Sequence, residues 1–175
     1  MSIVVPVLET GRLILRGHRL EDFPDYARMW ADPDVNRFIS GHPQSQEESW
    51  ARFMRGFGHW ALMGYGAWSV HEKAGGARVG ETGFLSVKRD IVPSLEGIPE
   101  LGWSFDKPAQ GKGYATEAVR AILAWGEGYF GKVRFACIIA PQNTASLRVA
   151  AKTGFREVGR TTYKGDPTVM LYREP

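Results

Sequence analysis

The sequence lacks several features that would assign it to a specialised class of protein. It holds a single cysteine, Cys137, in 175 residues, which excludes a disulfide within the chain and is typical of a reducing compartment. No apolar run approaches the roughly 20 residues that cross a bilayer. The opening segment has no basic stretch before its short apolar run, so it does not resemble a signal peptide. We therefore expect a cytoplasmic protein that does not associate with membranes.

Clustered charge and clustered metal ligands are also missing. The net charge of +3 is spread along the chain, whereas nucleic-acid binding usually requires a concentrated basic face, so we expect no nucleic-acid partner. The four histidines, His18, His42, His59 and His71, are dispersed without metal-binding spacing. We interpret each as structural and expect no metal. Cys137 lies in the apolar run VRFACII, which favours a buried strand thiol over a nucleophile.

What the sequence does contain is the pattern of a mixed α/β domain, and its length suits one domain over residues 1–175. Period-two alternation predicts strands, and three- and four-residue spacing of apolar side chains predicts helices. Ser45 and Glu48 have the spacing of a capping box, which indicates where the second helix begins. The expected order is β-α-α-β-β-β-α-β-α-β-β around one central sheet. The predicted strands cover residues 12–16, 67–73, 78–88, 100–105, 132–140, 156–162 and 169–172, and the predicted helices cover 20–30, a segment after 45, 113–129 and 143–153.

The most informative stretch is ELGWSFDKPAQGKGYATEAV, a strand followed by a loop with two glycines and then by a helix. Glycines let a backbone approach a ligand closely, and the N–H groups of a first helical turn have no partner within the helix. The positive end of the helix dipole completes a site suited to a pyrophosphate, and Lys112 adds charge. A turn without any ligand is the simpler alternative.

Two other phosphate-binding loops fit this stretch less well. A Walker A loop requires Ser or Thr after its Gly-Lys pair, but Gly113 follows Lys112. The dinucleotide fingerprint that begins at Gly111 would require glycine or alanine where Thr116 stands, and it normally follows the first parallel strand of its sheet.

At this loop the sequence resembles the GNAT superfamily of N-acetyltransferases, in particular its RimJ/RimL-like branch. Gln110, Gly113 and Ala115 match the superfamily signature, and GKGYATEA matches the form that the branch uses. A second matching segment, PQNTASLRVAAKTGF, follows at the expected distance. The segments ETGRLILR and PDVNRFI are also similar to this branch, so the resemblance extends over nearly the whole chain.

The resemblance implies an α+β fold with one mixed, mostly antiparallel sheet of about seven strands and about four helices, splayed at the cofactor site. It implies an enzyme that moves an acetyl group from acetyl-CoA to a primary amine of a protein N-terminus or a small molecule, by direct attack in a ternary complex. A homodimer is common among similar proteins. The implied coenzyme-binding residues are Trp103, Ser104, Phe105, Gln110, Gly111, Lys112, Gly113, Tyr114, Ala115, Thr116, Asn143 and Ser146.

The resemblance also suggests which residues carry out the chemistry. Many GNAT enzymes use a tyrosine as general acid, but Ala150 occupies that position here, so Ser146 is the candidate partner of the departing thiolate. Glu100 is our first choice of base, with Glu81 or a water chain as the alternative. Backbone amides near Phe105 are the candidate oxyanion site. The simpler readings are a solvent-facing serine at Ser146 and a strand-end carboxylate without a role at Glu100.

We expect the acceptor pocket to involve the N-terminal helices, residues 39–45, and the segment with Trp60, Tyr65 and Trp68. Trp60 and Tyr65, beside glycines, are the favoured wall residues. A non-catalytic module that binds or senses coenzyme A, and a protein that binds ATP at the same loop, remain as alternatives.

Overall fold

The computed structural model describes residues 4–175; the first three residues, which belong to the segment we compared with a signal peptide, lie outside the described part. The fold is built on one sheet of eight strands in the order β1-β2-β3-β4-β5-β6-β8-β7. All neighbours pair antiparallel except β5 and β6. The strands are β1 (Leu8–Glu9), β2 (Leu13–Arg16), β3 (Ala67–Glu72), β4 (Arg78–Leu85), β5 (Glu100–Phe105), β6 (Phe135–Ile139), β7 (Arg156–Tyr163) and β8 (Asp166–Arg173).

This sheet confirms the expected mixed, mostly antiparallel architecture, with one strand more than predicted. The additional strand is β1, which is two residues long. A strand of that length is too short to show an alternating pattern, and it forms because Leu8 and Glu9 pair with Leu15 and Ile14 of β2.

Five α-helices accompany the sheet, where the sequence predicts four. They are α1 (Phe23–Ala31), α2 (Pro33–Asn36), α3 (Gln46–Met63), α4 (Tyr114–Phe130) and α5 (Thr144–Lys152). The extra helix is α2, because Pro33 is favourable at the first helical position and the Asp32 carboxylate accepts the amide of Asp34 at 2.8 Å. The capping box of Ser45 and Glu48 is confirmed at the start of α3. Helix α3 continues through its two internal glycines, Gly56 and Gly58, and is capped by Gly64 (φ 71°).

The helices cover the sheet on two sides. On one side α4 packs on Trp68, Phe84 and Phe135 in the main core. On the other side α1 and α3 enclose a second cluster that includes Tyr26 and Phe53. Of the helices within residues 4–175, none is long and apolar enough to cross a membrane.

Strand β6 is covered on both faces, as its apolar sequence predicts. Phe135, Cys137 and Ile139 belong to the main core, and Ala136 and Ile138 pack into a third apolar cluster on the opposite face. Cys137 is 2% exposed, and burial raises the pKa of its thiol. The thiol is therefore protonated at neutral pH and is not poised as a nucleophile.

The sheet opens between its two parallel strands. Strands β5 and β6 pair only at Glu100 and Ala136, although β5 pairs with β4 along its full length. From Leu101 to Phe105 one edge of β5 therefore lacks a neighbouring strand, and this opening lies next to the loop that leads into α4.

Candidate active site

The loop between β5 and α4 is shaped by its own side chains and by two glycines. A short 3-10 turn, Lys107–Ala109, follows β5, and the side-chain amide of Gln110 donates to the carbonyl of Phe105 at 3.1 Å. Gly111 and Gly113 have φ of 78° and 82°, a region that side chains other than glycine rarely adopt. Gly113 is the N-cap of α4, so the loop turns sharply into the helix.

Six consecutive backbone amides at this turn, from Gly111 to Thr116, donate no hydrogen bond within residues 4–175. The first amide of the helix that is paired belongs to Glu117, which donates to the carbonyl of Gly113 at 3.1 Å. No atom lies within 4 Å of the position that a Cβ would take on Gly111. Free amides, open space and the positive end of a 17-residue helix together fit a pyrophosphate.

A side-chain clamp that local sequence patterns do not predict holds this loop in place. Glu117, in the first turn of α4, accepts hydrogen bonds from the hydroxyl of Thr10 at 2.6 Å, from the Arg12 amide at 2.9 Å and from Arg12 Nε at 2.7 Å. Arg12 also donates to the carbonyl of Lys112 at 2.9 Å. The N-terminal segment thus fixes the carbonyl between the two glycines. Thr10 and Arg12 belong to the segment ETGRLILR, but their partner Glu117 lies more than 100 positions further along the sequence. Local patterns therefore do not reveal this contact.

The open edge of β5 contains the three residues expected along the pantetheine arm. Phe105 is 7% exposed and belongs to the main core, with Trp103 packed against it from the same side. Ser104 is half-buried. Because the strand alternates, Ser104 points to the opposite face, toward α1 and α3. The core side chains hold β5 rigid while its backbone edge stays available.

The helix α5 places two of the expected residues beside the opening. Asn143 is the N-cap, and its side-chain oxygen accepts the amide of Ser146 at 3.1 Å. The hydroxyl of Ser146 donates no hydrogen bond within the described chain. Ala150 is fully buried in the main core, so this position offers no acid. Ser146 lies one helical turn before Ala150, on the same face.

Glu100 is engaged in a tight ion pair. It is 6% exposed, and its carboxylate accepts Arg89 Nε at 2.7 and 2.9 Å and Nη2 at 2.7 Å. It lies at the position where β5 last pairs with β6. A forked contact with arginine is among the strongest that a carboxylate makes, and using Glu100 as a base would cost that contact.

Glu81 has much looser contacts. It lies on β4 directly opposite Ser104 of β5, with His18 Nε2 at 3.5 Å and Arg52 Nε at 3.9 Å. Burial lowers the pKa of His18 to about 4, although the charge of Glu81 acts in the opposite direction. His18 is therefore neutral at pH 7, and its contact with Glu81 is not an ion pair. The Glu81 carboxylate is the less occupied of the two candidate bases.

The remaining histidines do not lie at the loop or at the open edge of β5. His71 Nε2 is 2.9 Å from the hydroxyl of Ser69, and His59 joins α3 to the end of β4. His42 is an exposed partner of Glu48. Among residues 4–175, no three His, Cys, Asp or Glu side chains are grouped to hold a metal ion.

The structure corrects the expected wall of the acceptor pocket. Trp60 is 7% exposed, packs edge-on against Trp68 and donates its indole N–H to the carbonyl of Ala67 at 2.9 Å. Tyr65 packs against Phe130 on the α4 side. A Cβ on Gly66 would lie 2.8 Å from the Trp60 ring. Gly66 therefore marks tight core packing, and Trp60 is part of the core and not an open wall.

Comparison with known proteins identifies the family. The Acetyltransferase (GNAT) domain family matches residues 12–156. The protein YkkB of Bacillus subtilis strain 168 is 32% identical over 155 residues, which span 84% of this chain and 82% of that protein. A GnaT-family acetyltransferase from Bordetella pertussis is 29% identical, with a TM-score of 0.84 over 97% of this chain and 99% of that structure.

A more distant neighbour supports the fold alone. RimL, a ribosomal L7/L12 alpha-N-protein acetyltransferase solved in complex with coenzyme A, has a TM-score of 0.78 at 17% identity and covers 97% of this chain and 98% of that structure. The family match extends over most of the residues that form the sheet, the glycine loop and α5. The chain belongs to the GNAT family and is an acetyltransferase, in a family whose members use acetyl-CoA.

Proposed function

We propose that this protein transfers the acetyl group of acetyl-CoA to a primary amine by direct attack within a ternary complex. The observation that carries the proposal is the run of six unpaired amides, Gly111 to Thr116, beside the open edge of β5. These amides bind the pyrophosphate, and the dipole of α4 and Lys112 add positive potential. The edge at Trp103–Phe105 pairs with the pantetheine arm in the manner of an added strand, which delivers the thioester to the opening between β5 and β6.

The base matters because only an unprotonated amine attacks a thioester. At pH 7 an amine of pKa near 10.4 is free in roughly 1 of 2,500 molecules, whereas an α-amine near 7.7 is about one-sixth free. Glu81 faces Ser104 across the β4–β5 pair and holds only two long contacts. Glu100, our first choice from the sequence, would have to give up its contact with Arg89. The contacts therefore favour Glu81, acting directly or through a water.

The rest of the reaction requires donors for two developing charges. As the amine nitrogen bonds to the carbonyl carbon, the oxygen becomes an oxyanion, which backbone amides around Phe105 stabilise. When the carbon–sulfur bond breaks, the thiolate takes a hydrogen bond from the Ser146 hydroxyl and then a proton from solvent. Asn143 fixes the first turn of α5 and so holds Ser146 in position.

Thiol release in the presence of acetyl-CoA and a panel of amines tests this proposal. Peptides, polyamines, aminoglycosides and amino acids should be compared, and at least one class should release coenzyme A. Calorimetric binding of acetyl-CoA without turnover of any amine would instead favour a coenzyme A-binding module. Displacement of coenzyme A by ATP would favour a nucleotide-binding protein.

A further inference from the structure

Helix α3 lies beside strand β4 on the face that holds Glu81. The helix packs mainly against α1. Near its end, His59 connects it to β4: the ring accepts the Ser86 amide at 3.2 Å and contacts the Arg55 carbonyl at 3.1 Å. Gly56, one turn earlier, has no side chain, and His18 lies 4.0 Å from the position of its missing Cβ. The missing side chain at Gly56 therefore lets α3 approach His18, whose Nε2 lies 3.5 Å from Glu81.

Positive charge exceeds negative charge around Glu81. Arg52 is held in place, with its guanidinium 3.6 Å above the ring of Trp30 and 3.9 Å from Glu81. Arg55, on the next turn, makes no side-chain hydrogen bond or ion pair within residues 4–175. The charge of Arg89 is engaged by Glu100. Glu81 thus contacts the guanidinium of Arg52, and the guanidinium of Arg55 is left without a carboxylate partner among residues 4–175.

The surroundings of Arg55 favour an added negative charge. Its side chain is exposed, yet the protein around it lowers its pKa, first by burial and then through the charge of Arg52, with a smaller effect of Arg89. An anion bound there would relieve the repulsion between the arginines.

We propose, on the basis of the acetyl-transfer function above, that the acceptor is a small amine that also carries a carboxylate, and that Arg55 together with Arg52 binds this carboxylate. The guanidinium fork matches the two oxygens of a carboxylate. Arg52 already contacts Glu81, so a carboxylate held at this pair lies close to the proposed base. The amine and the carboxylate are therefore separated by only a few bonds, as they are in an amino acid.

Paired substrates test this assignment. The kcat/KM for thiol release should be measured for amino acids and for their carboxamides, in the wild type and in Arg55→Gln. We expect the carboxylate to be preferred by at least about tenfold, the effect of one charge-assisted contact, and we expect the variant to lose most of that preference. Each kcat/KM is expressed per unprotonated amine, because an amino acid and its carboxamide differ in amine pKa; dividing the wild-type ratio by the variant ratio at one pH cancels any remaining difference. Arg156→Gln, at an exposed arginine on β7, is the matched control and should retain the wild-type ratio.

A binding measurement separates this inference from the proposed function. An N-acetylated amino acid and its carboxamide are titrated calorimetrically into protein saturated with coenzyme A. Carboxylate-dependent binding that Arg55→Gln removes would support the anion site even if no amine is acetylated. Turnover with equal efficiency for both substrates, or a wild-type ratio in Arg55→Gln, would overturn the inference and leave the acetyl-transfer function standing. A preference for aminoalkylphosphonates over amino acids would overturn the carboxylate assignment.

Discussion

The two sides of the proposed active site are built from different kinds of polar group. On the coenzyme side the polar groups are backbone amides of consecutive residues, Gly111 to Thr116, and within the described chain they donate to nothing. On the acceptor side the polar groups are side chains from β2–α1, α3, β4 and β5, and most are paired with one another, as Glu100 is with Arg89. A shared co-substrate can be held by backbone geometry, whereas the acceptor must be distinguished by side chains.

The largest effect should come from removing the proposed base, in an experiment that distinguishes the two carboxylates of the acceptor side, Glu81 and Glu100. Glu81→Gln should lower kcat by about 10²- to 10⁴-fold, the usual contribution of a general base, with little change in the KM for acetyl-CoA. Glu100→Gln should instead destabilise the fold by about 3 kcal/mol, because the half-buried Arg89 loses its charged partner. Steady-state kinetics and urea unfolding of both variants distinguish these outcomes. If kcat collapses in a stable Glu100→Gln protein while Glu81→Gln remains active, the order is reversed and Glu100 is the base.

On the coenzyme side, Gly113→Val should weaken acetyl-CoA binding by about 100-fold, since a branched side chain would displace a turn that presents several charge-assisted hydrogen bonds. Valine is also strained at this φ of 82°, at a cost of about 1–2 kcal/mol in stability. Gly165→Val is the matched control, because Gly165 has φ of 90° and nothing within 4 Å of its Cβ position but lies in the β7–β8 turn.

Calorimetric titration with acetyl-CoA gives the two affinities directly. The control should lose a similar amount of stability and keep its affinity for acetyl-CoA. Equal affinities in the two glycine variants would remove the assignment of the loop to the pyrophosphate.

Acid should lower the free energy of unfolding through His18, on the acceptor side. Its pKa is about 4 in the folded protein against 6.5 for the free side chain, mainly because of burial, while Glu81, Arg78, Asp22 and Arg16 act on it in opposing directions. The unfolded chain thus binds more protons between these values, so stability falls as the pH drops through this range. The loss between pH 7 and pH 4.5 from His18 alone is about 2 kcal/mol.

Urea unfolding at the two pH values measures this loss. His18→Gln should flatten the acid dependence. His42→Gln should not, because His42 is exposed and its pKa is raised by its hydrogen bond with Glu48. An unchanged slope in His18→Gln would mean that His18 is accessible to protons in the folded state.

The difference between the coenzyme side and the acceptor side also explains which features the sequence could predict. The strand, glycine loop and helix of the coenzyme side are consecutive, so local rules and the family signature identified them, and β5 has the predicted bounds. The clamp between Arg12 and Glu117 and the ion pair of Arg89 with Glu100 depend on strand order and on loop conformation, which local patterns do not encode. Trp60 was misassigned for the same reason: an aromatic beside glycines suits a pocket wall as well as a tightly packed core.

The smallest expected effect concerns Ser146, which lies between the two sides. Ser146→Ala should lower kcat by roughly tenfold, the value of one neutral hydrogen bond to a developing charge, and should leave the affinity for acetyl-CoA nearly unchanged. The backbone amide that Asn143 accepts is retained in this variant, so the helix start is preserved. Because the hydroxyl would act on the departing thiolate, the defect should shrink with an acyl donor whose thiol has a lower pKa and needs less assistance. A defect of the same size with both donors would mean that Ser146 does not contact the sulfur and that solvent alone serves the thiolate.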